Sequence, residues 1–190
     1  MTRPVVMPLL HFPNASLRST WLEAMAEHAA VDGRPDADGL GMEDLRTSNA
    51  DWLQGYCRAL NEGTMMRPGT EPLRPSVWWY VTAGRPDTRE YLGRVSIRHH
   101  AMTHAFGQEG SQIWVSVRPS RRRQGVGAAM LAAALPMIRA QGIIDAVVEI
   151  DKANQAGTAL AARIGAERVE GHAAERHGRL RYMLLTVGAG

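Results

Sequence analysis

Apolar positions along the 190-residue chain switch between helical and strand spacing, and the switches mark out its elements. Residues 5–10 form a short apolar run of strand length. Leu17, Trp21, Leu22 and Met25 then recur at helical spacing behind Asn14 or Ser16 as a cap, which predicts a helix to about Ala30. Gly, Asp and Pro concentrate over residues 32–41 and predict a loop. A second helix, started by Ser48 or Asn49, carries Trp52, Leu53, Tyr56 and Leu60 and ends at Gly63.

Residues 77–81 and 91–97, rich in aromatic and β-branched types, predict a hairpin, with Gly84-Arg85-Pro86-Asp87 between them as turn residues. Residues 112–117 form the next strand, and Pro119 stops it because proline cannot donate to a ladder. An alanine-rich helix over 125–140 contains Pro136, which predicts a kink or early break. A strand over 143–150, a helix over 155–164 and closing strands over 168–171 and 180–185 around Gly178 complete the order. Hairpins followed by strand, helix, strand, helix imply an α/β fold: a mixed sheet with helices on both faces.

Composition narrows the picture. With 45% hydrophobic residues and no compositional break, residues 1–190 are expected to form a single domain with a full core. The formal net charge of +3 is modest, while the pI of about 9.5 and the cluster Arg121-Arg122-Arg123 point to a local anionic partner. Nucleic acid is disfavoured, because the cluster has no interleaved aromatics and no recognition helix. Cys57 is the only cysteine, so neither an intrachain disulfide nor a cysteine metal cluster can form, and a reducing cytoplasm is expected. No membrane association is expected either, since no window is apolar over a bilayer's width.

The densest chemistry lies in Arg122-Arg123-Gln124-Gly125-Val126-Gly127, between the strand over 112–117 and the alanine-rich helix. Glycines at a helix start let the main chain approach a ligand, and the first-turn N–H groups, the helix dipole and the arginines all favour an anion there. A Walker loop would need Lys-Ser or Lys-Thr after Gly127, where Ala128-Ala129 stands. A dinucleotide fingerprint would need a small residue at Met130.

The remaining pattern, Arg122, Gly125 and Gly127, resembles the coenzyme A pyrophosphate loop of the GNAT acyltransferase superfamily. The resemblance extends to the strand ending Val115-Ser116-Val117-Arg118-Pro119, the strand ending Glu149-Ile150-Asp151, and Asn154 followed by Leu160 and Gly165. The segment over 95–104, with Arg98-His99-His100, looks like a bacterial branch of that superfamily of unassigned substrate. The resemblance implies the GNAT fold, a mixed central sheet of about six to seven strands with a V-shaped splay. It implies acetyl-CoA as donor, an amine of a small molecule or peptide as acceptor, and a monomer or homodimer. By the same resemblance, the backbone of Val115, Ser116 and Val117 would pair with pantetheine. The N–H groups of Arg123, Gln124, Gly125, Val126, Gly127 and Ala128 would hold the pyrophosphate, with the Arg122 side chain as charge partner and Asn154 as a further cofactor contact.

Amine acylation needs an uncharged nucleophile and therefore a proton acceptor. Glu149 is the leading candidate, against an ordinary strand-end charge, with His99 and His100 as rivals. Adjacent strand histidines point to opposite faces, so only one of that pair can face the cleft, and no metal is expected even with His104 nearby. Ala161 stands where many superfamily members place a tyrosine that protonates the leaving thiolate. Tyr182, Tyr56, Ser116 and Cys57 are possible substitutes, each also explained as packing. The alternative reading is a coenzyme A-binding module with little catalysis.

Overall fold

The computed structural model describes residues 8–37, 40–47, 49–64, 75–85, 88–98, 111–169, 175–176 and 178–185. The short strand β1 (Leu9–His11) leads to Asn14, whose side chain accepts from the Ser16 N–H at 2.9 Å and caps a 3-10 turn, Ala15–Leu17. Helix α1 (Arg18–Asp32) follows and ends at Gly33, in the left-handed region at φ 78°. Helix α3 (Ala50–Glu62) is capped by Asn49, which accepts from the Trp52 N–H at 2.8 Å, and it ends at Gly63 as expected. Between them lies α2 (Met42–Thr47), a short helix that the pattern did not predict because it buries only Leu45.

Strands β1, β2 (Pro75–Val81), β3 (Tyr91–Arg98) and β4 (Ile113–Val117) form an antiparallel sheet in that order. Along β2 the side chains alternate between two cores. Val77, Trp79 and Val81 join Trp21 and Met25 of α1 and Leu53 and Leu60 of α3. Trp79 stacks on Trp21 with centroids 5.9 Å apart and meets Tyr91 edge-on at 5.3 Å. On the other face Trp78 and Tyr80 pack against Met130, Leu131, Ala134 and Ile138 of α4 (Val126–Ala140). Full burial of such side chains contributes about 1.5–3 kcal/mol each and fixes the helices to their faces.

Helix α4 continues through Pro136, so of the kink or early break expected from the sequence the early break does not occur. Pro136 is exposed while Met130, Leu131, Ala134 and Ile138 are buried, so the carbonyl that loses its partner faces water and the packed face remains intact. Strand β5 (Asp145–Asp151) and helix α5 (Gln155–Arg163) follow. A second sheet has the order β5, β8 (Arg179–Leu185), β6 (Glu167–Arg168), with β7 (Glu175–Arg176) also on β8. Every ladder among the described residues is antiparallel. The expected splay thus divides the strands into two sheets joined at Gln112 and Val147, where one mixed sheet of six to seven strands was anticipated. No described helix is long and apolar enough to cross a membrane.

Candidate active site

Strand β4 passes through a 3-10 turn, Pro119–Arg121, into the glycine loop and α4. Gly125 is the N-cap of α4 at φ 80° and has open space around it, so its backbone conformation is what calls for glycine. Gly127 serves packing: a Cβ there would stand 3.3 Å from Val117 and 3.6 Å from Leu160, where β4, α4 and α5 meet. No side chain caps α4, and the first intrahelical bond runs from Ala129 N–H to Gly125 C=O at 3.0 Å. The N–H groups of Val126, Gly127 and Ala128 therefore lack intrahelical partners, which leaves the positive end of the helix dipole available to an anion. A groove of about 450 Å³, lined by Ala128, Ala129, Ala132, Arg163 and Ile164 among others, opens beside it.

The arginines divide into anchors and one outlier. Arg118 is buried and donates to Glu27 at 2.7 Å, Glu90 at 3.1 Å and Glu23 at 3.2 Å. Arg121 donates to both oxygens of Glu90 at 2.7 Å. Arg122 donates to Asp32 of α1 at 2.5 and 2.9 Å, lies 3.3 Å from His28, and gives its Nε–H to the Val117 carbonyl at 3.1 Å. The hydrogen bonds from Arg122 hold the Asp32 carboxyl down at about 2. Partial burial pushes Glu27 up, but hydrogen bonds from Arg118 and the Ser120 N–H outweigh it and bring its carboxyl to about 2. The Arg122 side chain, expected from the sequence to face phosphate, is thus committed to α1, because Asp32 offers it a bidentate partner. Arg123, at φ 63° and exposed, makes no ion pair among the described residues. No local pattern distinguishes Arg123 from Arg122, since Asp32 lies ninety residues away from Arg122.

The edge of β4 that faces β5 is chemically exposed. Arg98 N–H donates to Gln112 C=O at 2.9 Å and Arg118 N–H to Leu92 C=O at 2.9 Å, which fixes the phase of the ladder to β3. Residues 114 and 116 then turn their main-chain groups to β3, and residues 113, 115 and 117 turn theirs to the gap. The Ile113 carbonyl accepts from the Ser111 hydroxyl and the Val117 carbonyl from Arg122, which leaves the N–H and C=O of Val115 and the N–H of Val117 at the centre of the gap. The expected pairing through Ser116 is corrected accordingly: its main chain serves β3, opposite Arg94. At the closed end of the gap, Gln112 N–H donates to Val147 C=O at 2.8 Å and Val147 N–H donates to the Gln112 side chain at 2.9 Å.

The other expected residues are spread over β5, α5, the α3 core and the segment outside the described residues. Asn154 is the N-cap of α5, and its side-chain oxygen accepts from the Gly157 N–H at 2.9 Å. Glu149 is neither a solvated strand-end charge nor a free carboxylate. Its side chain is 8% exposed, accepts from Arg181 on β8 at 2.7 Å, and lies 3.9 Å from Arg179. Ala161 is buried with Ile150 and Tyr182, so the phenol of Tyr182 packs beside the alanine. Cys57 is buried in the α3 core and burial pushes its thiol up to about 12, as suits a packing residue. His99, His100 and His104 lie outside the described residues.

The model of the acetyltransferase (GNAT) family matches residues 49–166, more than half of the chain and all of the loop, gap and α5. No curated protein matches this chain in sequence. Among solved structures, the chain resembles the microcin C7 self-immunity acetyltransferase MccE, determined with acetyl-CoA and AMP, at 13% identity and a TM-score of 0.59 over 93% of this chain and 91% of that one. It resembles the ribosomal L7/L12 alpha-N-protein acetyltransferase RimL, determined with coenzyme A, at 13% identity and a TM-score of 0.58 over 96% of both chains. The PaiA N-acetyltransferase of Thermoplasma acidophilum, determined with coenzyme A, gives 9% identity and a TM-score of 0.54 over 94% of this chain and 99% of that one. At such identities these likenesses speak for the fold alone. The uncapped glycine helix beside an unpaired strand edge, within a family match over most of the chain, places the protein in the GNAT acetyltransferase family.

Proposed function

We propose that this protein is an N-acetyltransferase that moves an acetyl group from acetyl-CoA to a primary amine of a small molecule or peptide. The observation that carries the reading is the continuity of two unsatisfied surfaces: the inner edge of β4 at Val115 and Val117, and the first turn of α4 at Val126, Gly127 and Ala128. An extended chain with amide groups fits the first and a pyrophosphate the second. MccE, RimL and PaiA, whose structures were determined with acetyl-CoA or coenzyme A, support the donor by analogy.

When bound, the thioester supplies an activated acyl group: the amine nitrogen forms a C–N bond as the C–S bond breaks, and the proton lost by nitrogen balances the one gained by the thiolate. The chain's own groups then divide the work. The N–H groups of Arg123, Gln124, Gly125, Val126, Gly127 and Ala128 hold the pyrophosphate, with the exposed Arg123 guanidinium as a charge partner. Asn154 contacts the cofactor from α5 through the amide nitrogen that capping leaves over. A main-chain N–H of β4 polarises the thioester carbonyl. Glu149 accepts the amine proton, with Arg181 fixing its orientation, and His99 or His100 is the alternative acceptor.

The test is incubation with acetyl-CoA and a panel of amines, reading free thiol, together with calorimetry of coenzyme A binding. Micromolar binding with amine-dependent thiol release is expected. Binding without thiol release on any amine would favour the second reading, a coenzyme A-binding module, which Ala161 and the ion-paired state of Glu149 support. Absence of binding would remove both.

A further inference from the structure

Gln112 is 1% exposed, and its hydrogen bonding departs from that of a regular strand residue. In an antiparallel pair the N–H and C=O of one residue point to the same neighbour. At Gln112 the C=O accepts from Arg98 of β3 while the N–H donates to Val147 of β5, so the main chain twists between the two sheets. The side chain completes the bridge, since its oxygen accepts from the Val147 N–H at 2.9 Å. A carboxamide thus stands where a strand would supply a carbonyl, and beyond it β4 pairs with β3 alone among the described residues. Gln112 is the wedge at which the gap begins.

The same geometry determines the carboxamide's orientation. Only the oxygen can accept from Val147 N–H, so the amide nitrogen is the atom left over. That nitrogen is buried and has no hydrogen-bond partner among the described residues. Because it shares a carbon with the bridging oxygen, it lies in the seam between β4 and β5, at the closed end of the gap.

Val117, at the other end of β4, adjoins the phosphate loop, and the five residues of β4 span about 17 Å. A donor anchored at the loop and extended along β4 therefore brings its acyl end toward Gln112. We propose that Gln112 is a specificity-determining residue of the acyl site: its carboxamide closes the end of the gap, and its unpartnered amide N–H donates to the acyl carbonyl. This rests on the proposed placement of acetyl-CoA between β4 and β5. The expected consequence is a preference for acetyl-CoA over free coenzyme A, because only the acylated donor carries the acceptor that satisfies the orphan donor.

Calorimetry on the wild-type chain, Gln112→Met and Gln112→Glu separates the possibilities. Methionine keeps the volume without either hydrogen-bonding atom, and glutamate keeps the acceptor for Val147 without the amide donor. In both variants acetyl-CoA affinity should fall about tenfold, coenzyme A affinity should stay within about twofold, and turnover with the best amine should fall at least in proportion. Equal loss of both ligands in both variants, with a lowered Tm, would show a seam residue without a donor role and overturn the proposal, as would unchanged affinity for both. If the wild-type chain binds neither ligand, the placement of the donor itself has failed, which is distinct from either outcome.

Discussion

Arg122 and Arg123 are neighbours of the same type with opposite commitments, and the difference is measurable. Arg123→Ala should weaken coenzyme A binding by roughly fivefold, the worth of one exposed charge-assisted contact, and leave Tm unchanged. Arg122→Ala should lower Tm by a few degrees, because it removes the bidentate link to Asp32 and the bond to the Val117 carbonyl. If calorimetry shows the larger affinity loss for Arg122→Ala at unchanged Tm, the assignment of the two side chains is reversed. Glu149→Gln should reduce turnover by about two to four decades with coenzyme A affinity retained. Unchanged turnover in the thiol assay would transfer the proton-accepting role to His99 or His100. At this scale the sequence singles out the loop but not the partners of its side chains: long-range pairs such as Arg122 with Asp32 and Glu149 with Arg181 leave no trace in local spacing.

Helices α1, α3, α4 and α5 were legible as elements because each combines an apolar stripe with a recognisable end. The caps at Asn14 and Asn49 and the stops at Gly33 and Gly63 are local chemistry, independent of the rest of the fold. Helix α2 was not legible, since six residues with one buried leucine carry no period. Pro136 shows the reverse error, a strong local signal overridden by packing: four buried side chains keep the helix continuous through it. Pro136→Ala should therefore restore a backbone bond on the exposed face and stabilise the chain by up to about 3 kcal/mol. Each kcal/mol should raise Tm by about 2–4 °C in a thermal melt. An unchanged or lower Tm would mean that the ring makes a contact worth more than the bond it forbids.

Across the molecule, carboxylates on α1 tie the first half of the chain to the glycine loop and the turn before it, so acid should loosen that junction. Asp32 and Glu27 are both held at about 2, below the unfolded carboxylate range near 4. Groups with depressed folded values contribute stability that is complete above about pH 5 and is lost as pH falls toward 2. Urea midpoints measured from pH 6 down to pH 3 should decline, and Asp32→Asn should flatten the decline; a flat wild-type profile would argue that these pairs do not survive in solution. The amino-acid sequence by itself determined the order of strands and helices apart from α2, the glycine loop and the family, because caps, periods and backbone-demanding glycines act over a few residues. Only the tertiary structure decided where the sheet divides, which arginine of the loop has no ion pair among the described residues, and how Gln112 bridges the two sheets. Those outcomes depend on partners far apart in the chain, which are chosen by burial and hydrogen-bond competition once the two sheets and α1 have met.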